Sequence, residues 1–315
     1  MKADLHVHSF HSGFARNWAW LHARECYSTP DDVYRMARSR GMDLVCITDH
    51  DSIDGCLEFL DRRPDAPDFI IGEEISCLVP DAPGLRIHLG AIGMTEALHR
   101  DVQGLRDNVF DVAAYLRQQG VFCVMNHLFM LYGDEMDLQS YVRQALTLAP
   151  GLETHNGAML AEHNDLVAEL AVSTVVAGIR PVAVGGSDAH LLRYVGTAYT
   201  SAPGTTREEF LHNLRLGNTE TGGAHGSHLR LLVEVYGSIA NHWIGMLGLQ
   251  RNDFAWQARV SALVCSAALL PFQFIPAIIA VRMKQSEAAR ISRYRRMLAA
   301  TETERLTDAS ESPLA

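Results

Sequence analysis

Asp4-Leu5-His6-Val7-His8, a strand-like run that closes on two histidines, sets a pattern that six later runs repeat. Asp43 to Thr48 leads into Asp49-His50, Phe69-Ile70-Ile71-Gly72 into Glu73-Glu74, and Arg86-Ile87 into His88. Val121 to Met125 is followed by Asn126-His127, Gly151-Leu152-Glu153-Thr154 by His155, and Val182-Ala183-Val184-Gly185-Gly186-Ser187 by Asp188-Ala189-His190. Helical patterns separate the runs, which is the alternation of βα units around a parallel sheet. In an α/β barrel the C-terminal strand ends converge on one mouth, so ligands scattered along the chain meet in space. The pattern predicts an α/β barrel that gathers several metal ions.

The helices carry signals of their own. Thr29 is the expected N-cap of a first helix, with Pro30 at its first position, Asp31 and Asp32 in its positive first turn, and Gly41 just beyond its end. Further helices are expected over Gly104 to Gln119, stopping at Gly120, and over Ala161 to Val176. Thr206 and Glu209 form a plausible capping box for a helix that ends at Gly217. The barrel should close by residue 225, giving a first domain over 1–225.

A chain of 315 residues is long enough for such a barrel plus an appendage, since these barrels commonly need about 250 residues. Its net charge of −10 repels a nucleic-acid backbone, so no duplex nucleic acid is expected as a partner. Cys26, Cys46, Cys56, Cys77, Cys123 and Cys265 form no CxxC pair and are expected as reduced packing residues, which suits the cytoplasm. Met1-Lys2-Ala3-Asp4 enters the first run directly, so no cleavable signal peptide is expected before it.

From Gly226 the pattern changes to long helical stretches, a second region over 226–300. Val260 to Val281 carries no formal charge and is long enough to span a bilayer. Pro271 and Pro276, with Gln273 between them, predict two half-helices or a kinked hairpin. The flank with Arg282, Lys284, Arg290, Arg293, Arg295 and Arg296 is basic, as in juxtamembrane segments. Two readings of 260–281 compete: a membrane-associated hairpin or re-entrant anchor, and a buried helical pair or oligomer interface. Residues 301–315 are polar and expected as a flexible tail.

Chemistry follows from spacing. His6 and His8 share one face of a strand because side chains alternate with period two, so both imidazoles can ligate one cation. In Thr48-Asp49-His50-Asp51 a strand exit places His50 at the mouth. A carboxylate of Glu73-Glu74 can bridge two cations, and periodicity alone does not say which of the two points inward. Asp188 and His190 share a face, and the glycines before them permit close backbone approach. Each motif alone has a bland explanation in packing or a solvated turn; together they point to a multinuclear metal enzyme.

With these residues in place, the sequence resembles the PHP-domain (polymerase and histidinol phosphatase) family over residues 1–225. The resemblance is carried by Asp-x-His-x-His at Asp4 to His8, Thr-Asp-His-Asp at Thr48 to Asp51, Gly-x-Glu-Ile-Ser at Gly72 to Ser76, His88, Asn126-His127, and Gly-Gly-Ser-Asp-Ala-His at Gly185 to His190. It implies a distorted (β/α)7 barrel with a C-terminal helical appendage, two or three divalent ions, and phosphoester hydrolysis. By the same resemblance Glu74, not Glu73, is the bridging ligand. His6, His8, Glu74 and Asp188 would bind a first ion, His50 and His190 would serve a second, and Glu74, His88 and His127 would hold a third.

One position departs from the family. Many members carry an aspartate for the second ion where this chain has Gly13 after His8-Ser9-Phe10-His11-Ser12. Glu25, in the insert from Phe14 to Tyr27, is one candidate replacement and His11 another, although a surface-loop role competes for His11. His155 has either a supporting or substrate role or a packing one. His22, His99, His163, His212, His225, His228 and His242 fall outside strand exits and are expected as surface or helix histidines.

Mixed imidazole and carboxylate donors suit Zn, Mn or Fe. Paired ions activate water and neutralise phosphoryl oxygens; Glu74 would bridge them, while Asp188 or His190 at the rim could assist proton transfer to the leaving group. Arg16, Arg24 and Arg193 are candidate holders of phosphate oxygens because they fall in expected mouth loops. The leading expectation is a cytoplasmic metal-dependent phosphoesterase for a small phosphorylated metabolite or nucleotide. A metal-dependent C–N or C–O hydrolase, and a non-catalytic metal-binding regulatory or membrane-associated barrel, are the alternatives.

Overall fold

A computed structural model describes residues 1–133, 136–173, 180–251 and 256–311, with side chains at all of these except 16–18 and 301–311. Seven strands lie side by side in chain order: β1 (Lys2–Asp4), β2 (Leu44–Ile47), β3 (Phe69–Leu78), β4 (Arg86–Ile92), β5 (Phe122–Met125), β6 (Gly151–Asn156) and β7 (Val182–Gly186). The hairpin of β8 (Ala198–Ser201) and β9 (Glu220–Gly223) adds antiparallel to the free side of β1. Just past β7 the chain returns to the segment after β1. Asp188 N donates to His6 O at 2.7 Å and His8 N to Ala189 O at 3.2 Å, so the sheet nearly closes into the expected distorted barrel.

The helices between and after the strands are α1 (Pro30–Ser39), α2 (Asp54–Arg62), α3 (Glu96–Gln103), α4 (Val109–Gln118), α5 (Leu138–Leu148), α6 (Ala161–Ser173), α7 (Arg207–Leu216), α8 (His228–Met246), α9 (Trp256–Ala268) and α10 (Phe274–Glu311). α1 begins as expected, with Thr29 Oγ1 accepting from Asp32 N at 3.2 Å. α7 is capped by Thr206 and ends at Gly217, whose φ of 75° is left-handed; the Glu209 carboxylate reaches Thr205 N instead of the cap itself. The expected helix over 104–119 is instead two. Asn108 accepts from Phe110 N at 3.0 Å and starts α4 afresh, while Thr95 caps α3 ahead of it. For the helix expected to reach Val176, residues 174–176 lie outside those described.

Two strands depart from the parallel pattern. β4 runs antiparallel to both neighbours, because a short loop and not a crossover helix joins it to β3. β3 also does not stop before Glu73-Glu74 but continues to Leu78, so Glu74 sits within the strand. In β4 it is the beginning of the strand that faces the mouth, and this is where His88 lies.

Strict alternation explains which side chains fill the barrel. Leu44 and Cys46, Ile70, Ile92, Phe122 and Val124, and Val182 and Val184 form one buried cluster, closed from below by Phe210 and Leu214 of α7. The intervening residues of the same strands pack outward: Val45 and Ile47 against α1 and α2, Cys123 and Met125 against α4 and α5. Counting on by twos from the inner set gives His50, Glu74, His88, Asn126 and Asp188. Gly186 falls between floor and mouth in this series. A Cβ there would come within 2.4 Å of the His6 Cβ, so only glycine lets β7 close against the first strand's extension.

The C-terminal helices are built onto this barrel. On α10 the stripe Ala280, Lys284, Glu287, Ile291 and Tyr294 is buried, and Tyr294 packs within 5.5 Å of Phe129 and 5.3 Å of Tyr132. α9 and α10 are the two half-helices that the prolines predict, separated by a single turn over Leu270–Phe272. Of Val260 to Val281 only Ala262, Ser266 and Ala280 are buried, so this run is not a buried helical pair. No single helix among the described residues is long and apolar enough to cross a membrane; the stretches 256–268 and 270–300 pass that test only together, bent by 50°. Where a flexible tail is expected from residue 301, α10 continues to Glu311, and 312–315 lie outside the described residues.

Candidate metal centre

Period two carries five inner side chains to the mouth, and the extended chain after β1 adds His6 and His8. All converge on Glu74. Its Oε2 lies 3.2 Å from His6 Nε2, 3.5 Å from His8 Nε2 and 3.0 Å from His50 Nδ1. Its Oε1 lies 3.1 Å from His88 Nδ1 and 2.9 Å from His127 Nε2, and accepts from Asn126 Nδ2 at 3.0 Å. Asp188 Oδ1 stands 3.6 Å from His6 Nε2, 3.3 Å from His8 Nε2 and 3.7 Å from His190 Nδ1. Donors held by one tetrahedral cation at about 2.1 Å are about 3.4 Å apart. Glu73 points the other way, to His99 and Gln103 of α3.

The buried atoms His6 Nε2, His8 Nε2, His50 Nδ1 and Glu74 Oε2 have no hydrogen-bond partner. Orphans of this kind are costly unless something else satisfies them. Four sets of three donors lie within 4.8 Å of one another: His8 with His50 and His190, His6 with His8 and Glu74, His6 with His127 and Asp188, and His50 with Glu74 and His88. The donor set fits divalent ions. Burial opposes ionisation of Glu74 and Asp188, but the surrounding imidazoles hold both carboxyls well below their usual range, and against burial the carboxylates in turn hold His6, His50 and His127 above theirs, so positive charge is favoured at this point. Burial, with His190 and His50 nearby, pushes His8 well below its usual value, leaving a neutral ring.

A set of residues behind the donors aims them. His6 Nδ1 donates to Glu153 Oε1 at 2.8 Å, which turns Nε2 to the centre; Glu153 Oε2 accepts from His127 N and Asn156 Nδ2. His8 Nδ1 donates to Ser12 Oγ at 2.9 Å, and Ser12 donates on to Asp49 at 2.7 Å. Asp4 is no donor to the centre: it accepts from Ser187 N and Gly196 N and ties the β7 exit down. His127 and Asp188 hold φ of 27° and 49°, strained values for non-glycine residues that such contacts enforce. Glu153→Gln is expected to weaken metal binding about 10–100-fold without unfolding the chain; metal titration of the two proteins reads it, and equal affinities would exclude this role.

Other expected site residues fall variously. Glu25 reaches the centre, its Oε2 3.1 Å from His50 Nε2, and lines the cavity above. His11 bonds Glu58 instead, at 2.8 Å. Gly13, with φ of 85°, holds a backbone conformation in which an aspartate would be strained. Arg24 donates to Phe10 O and lies over the Phe10 and Phe14 rings, and Arg193 lies near Tyr194; neither is among the residues lining the cavity, and the Arg16 side chain lies outside those described. His155 turns away and lies against the His225 ring, tilted by 38°, because β6 bulges between Glu153 and His155 and presents Asn156, which donates to Asp188 at 3.1 Å.

The cavity over the centre has a volume of about 790 Å³. His50, Glu74, His88, His127, Asp188 and His190 form its floor; the C-terminal helices supply much of its wall, including Glu234, Arg282 and Arg290. Spacing gave no hint of these, since they enter through tertiary docking. Arg230 of α8 is buried and donates to the carbonyls of Ser187, at 2.7 Å, and Gly157, and to Glu234. Lys284 and Glu287 of α10 form a buried pair at 2.5 Å and bond Ala158 O and Leu160 N.

His163 also lines the cavity, buried in α6, where burial and then His127 push its imidazole down to about 3. An unfolded imidazole titrates near 6.5, so as pH falls below that value the unfolded chain binds a proton the folded chain refuses until about pH 3. Stability from this group is complete above 6.5 and falls by about 2 kcal/mol between pH 7 and pH 5. His163→Gln cannot charge and is expected to lose correspondingly less over that range in urea denaturation; identical losses would contradict this. Asp4, pushed up to about 6 by burial, works in the opposite sense but equally in both proteins.

Comparison with known proteins adds the following. A family model described as PHP-associated matches residues 180–219, which hold β7, Asp188, His190, β8 and α7, and bears out the PHP resemblance. An uncharacterized protein of Methanocaldococcus jannaschii is 33% identical over 86 residues, 27% of this chain and 50% of that protein. The chain thus matches only about half the length of this curated relative. Among solved structures, a two-domain protein from Bacteroides vulgatus containing a predicted PHP-like metal-dependent phosphoesterase has a TM-score of 0.45 at 18% identity, covering 74% of this chain and 68% of its own. An amidohydrolase from Chromobacterium violaceum gives 0.45 at 17%, covering 74% and 96%, and a lesion-specific endonuclease from Pyrococcus furiosus 0.44 at 16%, covering 70% and 57%. Likenesses of this degree say nothing about chemistry on their own.

Proposed function

We propose, on the premise that this chain is a PHP-like protein, that it is a metal-dependent phosphoesterase acting on a small phosphorylated metabolite or nucleotide. The observation that carries the reading is the set of orphaned, buried donor atoms of His6, His8, His50 and Glu74, the last two lining a cavity whose wall bears arginines. Two or three ions of Zn, Mn or Fe suit these donors: one held by His6, His8, Glu74 and Asp188, one by His50 and His190 with Glu25 steadying His50, and one by His88, His127 and Glu74. Such ions, when bound, activate water and neutralise phosphoryl charge.

The chain's own groups do the rest. Glu74 offers one oxygen to each half of the histidine cluster and so fixes their separation. Asp188 and His190 line the cavity, where either can relay a proton from a water to the departing alkoxide. Arg282 and Arg290 are assigned the non-bridging phosphate oxygens in place of Arg24 and Arg193, because they line the cavity and Arg290 Nε is buried without a partner.

Chain stripped of metal and reloaded separately with Zn, Mn or Fe, then given phosphomonoesters, phosphodiesters, amides and lactones, tests the reading. Metal-dependent turnover of a phosphoester, with KM raised in Arg290→Ala, is the expected result. Turnover confined to amides or lactones would make it a C–N or C–O hydrolase, and tightly bound metal without any turnover would make it a regulatory barrel; either overturns the proposal.

A further inference from the structure

α9 and α10 leave an apolar face uncovered. On α9, Trp256, Val260 and Val264 recur every fourth residue and are 70%, 51% and 65% exposed. On α10, Ile275, Ile279 and Met283 repeat the same spacing and are likewise exposed, while Ala280, Lys284, Glu287 and Ile291 bury the opposite stripe against the barrel. Residues four apart share a helix face, so each helix is packed on one side and bare and apolar on the other. Contiguous bare apolar surface of this extent marks an interaction site.

Two observations choose the occupant, and a third places it. The face carries no formal charge from Val260 to Val281 and is followed, beyond the two arginines of the cavity wall, by exposed Arg293 and Arg296, a cationic border on a chain whose net charge is −10. That arrangement complements an anionic lipid surface. The two helices are bent by 50° and neither is a span by itself, which fits lying along an interface and not crossing it. Ile279 and Met283 belong both to the bare stripe and to the lining of the metal cavity. Whatever covers this face therefore borders the mouth of the metal cavity.

We propose that the exposed face from Trp256 to Met283 docks on an anionic lipid bilayer, lying along its surface beside the mouth of the metal cavity. Flotation of the full chain with vesicles of phosphatidylcholine, alone or mixed with phosphatidylglycerol, tests this. The chain should float with the mixed vesicles, less with phosphatidylcholine alone, and less at high salt. The double variant Val264→Glu with Ile278→Glu alters exposed side chains outside the cavity, so it should keep its thermal midpoint and its turnover of a soluble aryl phosphate while bound chain falls about tenfold or more. A wild-type chain that floats with neither vesicle overturns the proposal. So does a dimer that the same double variant splits into monomers, without vesicle binding, which would give the face to a second copy. Flotation does not depend on turnover, so a chain that floats yet hydrolyses no phosphoester contradicts the proposed function alone.

Discussion

Glu74→Gln is expected to empty the centre of metal and to lower kcat/KM for a phosphoester by about a thousandfold or more, which is about 4 kcal/mol of transition-state stabilisation. The carboxylate faces His6, His8 and His50 with one oxygen and His88 and His127 with the other. An amide keeps the shape but places an NH2 group where an acceptor stood and removes the charge around which the five imidazoles assemble. The loss should be near that of removing the whole centre, since groups that act as a unit do not contribute separately. Elemental analysis alongside kinetics checks it; a folded variant with full metal content and turnover within about tenfold of wild type would contradict the assignment.

Arg230→Met is expected to cost about 3–5 kcal/mol of folding stability and to weaken metal binding as well. The side chain is buried, joins the carbonyls of Ser187 and Gly157 to Glu234, and lies 4.5 Å over the Tyr194 ring. Methionine fills similar space but leaves the Glu234 carboxylate and two carbonyls unpaired. Ser187 precedes Asp188, whose strained backbone loses a restraint at the same time. Adding Glu234→Gln should recover part of the stability, because the buried charge then goes too. Urea denaturation and metal titration of the three proteins measure both effects; an Arg230→Met chain as stable as wild type would mean that α8 merely rests on the barrel.

Much of the centre was legible because a strand has only two faces. The inward residues Ile70, Phe122 and Val182 fix a parity that reaches Glu74, Asn126 and Asp188 four or six residues later. Glu74 was separated from Glu73 only by the family resemblance; the count agrees once the structure shows Ile70 facing inward. His88 was found by type although its strand runs the opposite way, a reversal that depends on how the chain returns after Leu78. Glu153 and His155 show where parity stops working. They stand two apart and should share a face, but the bulge between them keeps Glu153 behind His6 and sends His155 outward. Arg230, Arg282 and Arg290 carry no local signal, because what places them is the docking of α8 and α10 far along the chain.

Counting the ions in the protein tests the centre most directly. Elemental analysis of the folded full-length chain after dialysis with Zn, Mn or Fe should find more than one divalent ion per chain in wild type and a sharply reduced content in Glu74→Gln. Wild-type chain that holds no such ion and takes none up would contradict the gathering of His6, His8, His50, Glu74 and Asp188 around metal.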